Sequence, residues 1–409
     1  MNTFDRADSA YQLPQNIPGA ARAVLRLLQN IRYGSITLQL PDGSAHRFGG
    51  DASPHAALHL HNWRVFGAAL KSGDIGFAEG FIAGDWSTPH LTDLLRLLIK
   101  NRNEVDNLIY GSWAGQLIYR IKHLLRRNTR RNSKKNIHAH YDLGNAFYGL
   151  WLDETMNYSS ALFGDDARAP LALAQDAKVR RALAMAGVKS KGRLLEIGCG
   201  WGALAEMATR EFDCSVVGVT LSAEQLQFAT ERLRRQGLQG QADLRLQDYR
   251  DIDDAPFDAI CSIEMVEAVG QQYWPNYFST VARLLKPGGR ACIQSIVIAD
   301  AHFNRYLKST DFIQQYIFPG GCLPSPIEFR RHAQAASLEV VDELEFGQDY
   351  AETLKRWRER FLARRTDVLA LGFDERFMRI WEFYLAYCEG AFLENNVNVV
   401  QYTLQKPAG

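Results

Sequence analysis

No stretch of the 409-residue chain carries the roughly 18 consecutive apolar residues that a membrane-spanning helix requires. The N-terminal text, MNTFDRADSAYQLPQ, has early acids and no apolar core, so no cleaved leader is expected. An excess of one charge is missing too: 47 Lys and Arg stand against 46 Asp and Glu. Affinity for an anionic partner must therefore come from local clustering. Cys199, Cys214, Cys261, Cys292, Cys322 and Cys388 are scattered, with no CxxC pair. That argues against a disulfide framework and predicts reduced thiols in a cytoplasmic setting. His138 and His140 have no Cys or carboxylate at ligand spacing, so no metal site is expected.

What the chain does have is core: 46% of its residues are hydrophobic, ample for two domains. Residues 1–116 read as a small α+β domain. It has a short helix (ARAVLRLLQN), two strands (SITLQL, SAHRF) around Pro41-Asp42-Gly43, the alternating strand ALHLH, and two further helices, WRVFGAALKSG and TDLLRLLIKN. Residues 117–137 change character, with Leu117, Ile118, Ile121, Leu124 and Leu125 at helical spacing among eight cations and no acid. This reads as a basic amphipathic helix and linker, its stripe packed on the protein itself or held at an anionic membrane surface. Aromatic residues do not interleave with the cations, so nucleic acid is not the expected partner.

Residues 138–409 form the third stretch. From Leu171 to Leu338 helical and strand-like segments alternate, predicting an α/β fold with a mostly parallel sheet. From Tyr350 the text turns aromatic and helical, then ends in the strand-like VNVVQYTL.

The sharpest local signal is EIGCGWGA, a glycine turn between strand and helix. Gly198, Gly200 and Gly202 let backbone approach a ligand at the carboxyl end of a strand. The spacing also fits a dinucleotide fingerprint, but that site expects an acid after the second strand, where this chain has Gly218-Val219-Thr220-Leu221-Ser222. Glu196 before the glycines suits a ligand with a cationic amino group. Together with LLKPGGR before a later strand, it points to S-adenosylmethionine-dependent methyl transfer.

The segments HYDLGNAFYGLWLDETMNYSSALF, LLEIGCGWGALA, GVTLSAEQLQFA, LQDYRDI, SIEMVEAVG, DFIQQYIFPGGCLPS and YCEGAF, in that order, resemble the cyclopropane fatty acid synthases and mycolic acid methyltransferases. The resemblance implies a Rossmann-like class I methyltransferase domain behind a lipid-associated N-terminal domain that contains SGDIGFAEGFIAGDW. It implies methyl transfer from S-adenosylmethionine to the double bond of a membrane phospholipid's unsaturated acyl chain, giving a cyclopropane. It also implies peripheral association with the inner face of the membrane, and it admits a homodimer. Carried over by motif, Tyr158, Ser159, Glu196, Gly198, Gly200 and Gly202 would surround the methionine portion. Thr220, Leu221 and Gln225 would hold the ribose, and Asp248 and Tyr249 would flank the adenine. Ordinary fold packing is the alternative for each residue taken singly.

An alkene is a weak nucleophile, so the site must align it, exclude water and stabilise the resulting cation. Tyr316, Phe318, Tyr350, Phe383, Tyr384 and Tyr387 offer ring faces for that, or an aromatic wall around an acyl tunnel. Ring closure needs a base, in this family a bound bicarbonate. Its implied cradle is Ser160, Glu267, Gln294, the backbone at Ile296, and Tyr350, with Glu267 the residue expected to hold its proton. Cys388 takes the family's reactive-cysteine position or is a structural thiol.

Ser160, Gln294 and Ala268 stand where the family often has Cys, His and His. Without imidazole the anion is held more weakly or is absent, and a methyl-branched chain becomes the alternative product. A lipid-binding protein without catalysis is the further alternative.

Overall fold

The computed structural model describes residues 17–102, 104 and 143–408. They fall into two compact units, divided between Met1–Gln116 and Leu117–Gly409. The basic helix and linker expected over 117–137, and His138 and His140, lie outside the described residues.

In the first unit β1 (Ser35–Gln39) and β2 (Ala45–Gly49) pair antiparallel on either side of Pro41-Asp42-Gly43. The turn closes because Gly43 takes φ +86° and Asp42 accepts the Ser44 N–H at 2.9 Å. β3 (His55–Leu60) runs parallel to β1, and its alternation buries Ala56, Leu58 and Leu60. The two-residue β4 (Trp86–Ser87) completes the order β2-β1-β3-β4. Helices Gly19–Leu28, Arg64–Ala83 and Leu91–Lys100 supply the rest of the core. The second of these breaks at Gly73, whose φ 62°, ψ −137° excludes ordinary side chains.

The second unit is built on a seven-stranded sheet. Its strands are β5 (Arg193–Ile197), β6 (Ser215–Thr220), β7 (Ala242–Leu246), β8 (Phe257–Ile263), β9 (Leu285–Ile298), β10 (Glu339–Glu345) and β11 (Val397–Gln405). The order is β10-β11-β9-β8-β5-β6-β7. β7, β6, β5, β8 and β9 are parallel, and β11 enters antiparallel between β9 and β10. This is the Rossmann-like, mostly parallel sheet that the sequence reading expects.

The central strands are apolar on both faces because helices cover both. Leu195, Ile197, Ile260 and Ile293 enter one core, while Leu194, Cys261 and Cys292 enter the other. All six cysteines are free. The sequence reading had no counterpart for β10. Its text, EVVDELE, is an acid-rich edge strand, where charge protects the exposed ladder.

Candidate active site

β5 lies between β6 and β8, so the chain leaves its carboxyl end at the point where strand order reverses and a crevice opens. There it turns through Gly198 to Gly202 into helix Ala203–Phe212. The glycines serve different ends. A Cβ on Gly198 would stand 2.4 Å from Met265 Cγ, and one on Gly202 2.8 Å from Ala229 Cβ, whereas Gly200 faces open space.

Tyr158, Ser159, Glu196, Gly198, Gly200, Thr220, Leu221, Gln225, Asp248 and Tyr249 all line one cavity. Gly202 does not; it starts the helix and packs on its neighbour. Glu196 is buried with Oε2 unpartnered, and desolvation pushes its pKa well above the carboxylate range, opposed by Lys178. An unpartnered acid on a cavity wall fits a ligand bearing a cationic amino group. The Tyr249 hydroxyl is also buried without a partner. Asp248 is already paired, accepting from Arg250 at 2.8 and 2.5 Å, and Thr220 donates to Gln225 Oε1 at 3.1 Å. The Glu196 oxygen and the space at Gly200 therefore fit S-adenosylmethionine.

The residues expected to cradle an anion do converge, but on a side chain of the protein itself. Glu264 follows the last residue of β8 and lines the cavity. Its Oε1 accepts from the Ser160 N–H at 2.9 Å and from Gln294 Nε2 at 2.7 Å, and its Oε2 accepts from the Tyr350 hydroxyl at 2.7 Å. Glu264 also takes φ +52°, a left-handed conformation costly for a side-chain-bearing residue, with its N–H bonded to Gln294 O at 2.8 Å. Burial raises its pKa, and the Ser160, Tyr350, Lys178 and Gln294 groups oppose that rise.

Glu267 is one turn further on and buried. Its Oε1 accepts the Ile296 N–H and its Oε2 has no partner. Burial, and then repulsion from Glu264, push its pKa up to about 8. Neighbouring carboxyls in unlike surroundings are thereby split: Glu264 has donors for the anion, and Glu267 is neutral at pH 7. Sequence reasoning chose Glu267 and passed over Glu264. The signal was available, since Glu264 is the acid at the carboxyl end of a parallel strand.

Two more residues escaped the sequence. Lys178 is fully buried beneath the loop 157–160, with Nζ donating to Ser159 Oγ at 2.6 Å and to Asn157 Oδ1 at 3.3 Å. Desolvation lowers its pKa to about 8. Gln401, opposite Gln294 on β11, donates to Gln294 Oε1 at 3.0 Å. An amide in a strand and a lysine in a helix carry no motif of their own.

Among the aromatic residues, Tyr384 shares a 2.8 Å hydroxyl contact with Tyr158, and Phe312 packs on Phe383 with centroids 4.8 Å apart. Tyr316 and Tyr387 stack on the same pair, and Phe318 meets Tyr384 edge-on. Cys388 is partly exposed, and desolvation pushes its thiol well above the usual range, which suits a structural thiol better than a nucleophile. Among the described residues no cluster of three or more His, Cys, Asp or Glu could hold a metal ion, and no helix is long and apolar enough to cross a membrane.

Comparison with known proteins agrees with this geometry. Residues 128–402 match the model of the family described as mycolic acid cyclopropane synthetase. The tuberculostearic acid methyltransferase UfaA1 of Mycobacterium tuberculosis is 38% identical over 98% of this chain and 95% of its own length. The cyclopropane-fatty-acyl-phospholipid synthase of Escherichia coli is 36% identical over 87% of this chain and 89% of its own. The solved mycolic acid cyclopropane synthase CmaA1, complexed with SAH and CTAB, superposes with a TM-score of 0.62 at 32% identity, covering 67% of this chain and 98% of that one. The chain therefore belongs to the cyclopropane synthase and mycolic acid methyltransferase family, the S-adenosylmethionine-dependent methyltransferases of fatty-acyl chains.

Proposed function

We propose that this protein methylates the double bond of an unsaturated phospholipid acyl chain and releases a methyl-branched product without closing a ring. The observation that carries the reading is Glu264: the three donors suited to a bicarbonate are spent on a tethered carboxylate.

S-adenosylmethionine, when bound, supplies an electrophilic methyl group on a sulfonium. Glu196 would hold its amino group, with Tyr249 and Gln225 toward its nucleoside. As the alkene takes the methyl, positive charge develops on the neighbouring carbon. Ionised Glu264 stabilises that charge in a desolvated pocket, where a fixed anion acts most strongly. The proton on the transferred methyl must then leave. A free anion placed against that methyl removes it at once, and the C–H electron pair closes a three-membered ring. Three hydrogen bonds hold Glu264 in place, so it cannot follow the methyl as a free anion can, although burial raises its basicity. The cation then has time for a 1,2-hydride shift from the carbon that bears the methyl, which moves the positive charge onto that carbon as a tertiary centre. Proton loss to Glu264 from that methyl leaves a C=CH2 branch on the open chain and a neutral carboxyl.

The likeness to a tuberculostearic acid methyltransferase over nearly the whole chain supports methyl transfer as the outcome. Ring closure, as in the cyclopropane-fatty-acyl-phospholipid synthase, is the second reading. A bicarbonate base has no open cradle to enter while Glu264 occupies its donors. The substrate lies in a membrane, which the protein would meet peripherally.

Purified protein, S-adenosylmethionine and vesicles of a dioleoyl phospholipid provide the test, with acyl chains analysed by mass spectrometry. The branched product gains the mass of CH2 and takes up hydrogen over a catalyst. A chain that gains CH2 and resists hydrogenation is a cyclopropane and overturns the reading.

A further inference from the structure

The hydrogen bonds behind Glu264 run in one direction, and that direction is set outside the cavity. Arg181, on helix Leu171–Met185, donates from Nη1 to Gln401 Oε1 at 2.8 Å and from Nη2 to Asp342 at 2.6 Å. A guanidinium has only donors, so the oxygen of the Gln401 amide must face Arg181. Its nitrogen then faces the other way and meets two acceptors, the Lys178 carbonyl at 3.1 Å and Gln294 Oε1 at 3.0 Å. A backbone carbonyl can only accept. The Gln401 amide is thus fixed at both ends, although its oxygen and nitrogen are alike in shape.

Gln294 inherits that polarity. It sits directly across the β9–β11 ladder from Gln401, and both are fully buried. With its oxygen committed to Gln401, its Nε2 has to donate to Glu264 Oε1, which already accepts the Ser160 N–H. Protonation of Glu264 is left only Oε2, where the Tyr350 hydroxyl would have to turn its hydrogen away.

We infer that Arg181 and Gln401 are positioning residues for methyl transfer: the chain Arg181 to Gln401 to Gln294 holds Glu264 in the ionised form the reaction uses. The inference rests on the reading of Glu264 as the base. Asp342, on the edge strand β10, in turn fixes the guanidinium. The charged or titratable groups facing Glu264 from the surrounding elements are the Lys178 ammonium, the Tyr350 phenol and the Glu267 carboxyl. All three are retained in every relay variant below.

Reversal of the polarity is the test. In Gln401→Glu the new carboxylate accepts from Arg181 and offers Gln294 no donor, so the Gln294 amide rotates and turns its oxygen to Glu264. Glu264 must then carry a proton. The pH profile of kcat/KM, measured with radiolabelled methyl donor and dioleoyl phosphatidylglycerol vesicles, should show its acid limb raised by about one pH unit or more. Gln401→Met, which changes no charge, should move it the same way by less; Arg181→Met, which removes one cation, should also move it that way, and Arg181→Lys, which keeps the cation, should restore it. The arginine pair carries the test if Gln401→Glu does not fold.

An acid limb unmoved in Gln401→Glu and in Arg181→Met, with rates that merely follow the folded fraction, overturns the relay. Glu264→Gln run alongside separates the two claims. If it abolishes the limb while the relay variants leave it in place, the relay alone fails. If the limb persists in Glu264→Gln, the base assignment fails and the relay with it.

Discussion

Glu264 and Glu267 are three residues apart, and their surroundings assign them opposite protonation states. Glu267 titrates near 8 in the folded protein, above its usual value of 4.5. Between those values the unfolded chain has lost this proton and the folded one keeps it, so its contribution to stability is present in acid and lost as pH rises toward 8. Glu267→Gln mimics the neutral form. Its melting temperature should gain on the wild type progressively from pH 4.5 to 8 and then level off, and a gap that does not change with pH would count against the assignment. Glu264→Ala should cut methyl transfer at least about 100-fold. Because it frees the Ser160, Gln294 and Tyr350 donors, added formate or bicarbonate should restore part of the rate. No recovery with either anion would mean that the pocket does not gather charge there. At this scale the sequence was readable where motifs name residue types: Ser160, Gln294 and Tyr350 were found. It was not readable where function depends on a backbone angle. The strand-end position of the first acid in SIEMVEAVG pointed to the cavity, but nothing in that text announces its φ of +52°.

Elements place these residues through register and turn geometry. The glycine turn after β5 was legible because glycine adopts its positive φ angles without strain, yet the sequence could not divide its three glycines between packing and ligand. Gly200 provides the check. At φ +48° with open space ahead, Gly200→Ala should cost about 1 kcal/mol of stability and leave the fold intact. The added methyl should nevertheless weaken S-adenosylhomocysteine binding by tenfold or more in calorimetry. Undiminished binding would move the cofactor elsewhere along the crevice. β10 was missed for a different reason: an alternating strand rich in Glu and Asp has the composition of a loop, and only its pairing with β11 makes it a strand. That pairing brings Asp342 to Arg181.

The described residues fall into two units, one built around β1 and β3 and one around the seven-stranded sheet. Alternation of helix and strand made the second legible, and the Pro-Asp-Gly hairpin made the first. A ligand that binds one native core stabilises that core alone. Differential scanning calorimetry should therefore show two transitions, of which S-adenosylhomocysteine raises one. A single transition that shifts as a whole would indicate that the units unfold together.

The β11 register sets a further constraint. Three residues, Glu394, Asn395 and Asn396, separate helix Glu375–Leu393 from the strand that carries Gln401. Deleting one of them would slide β11 by a single place and set Tyr402 against Gln294, with the amide sent to the opposite face. On the proposed reading, methyl transfer is in this way tied to the length of a turn that does not line the cavity, so insertions and deletions there should alter catalysis as strongly as substitutions inside the pocket.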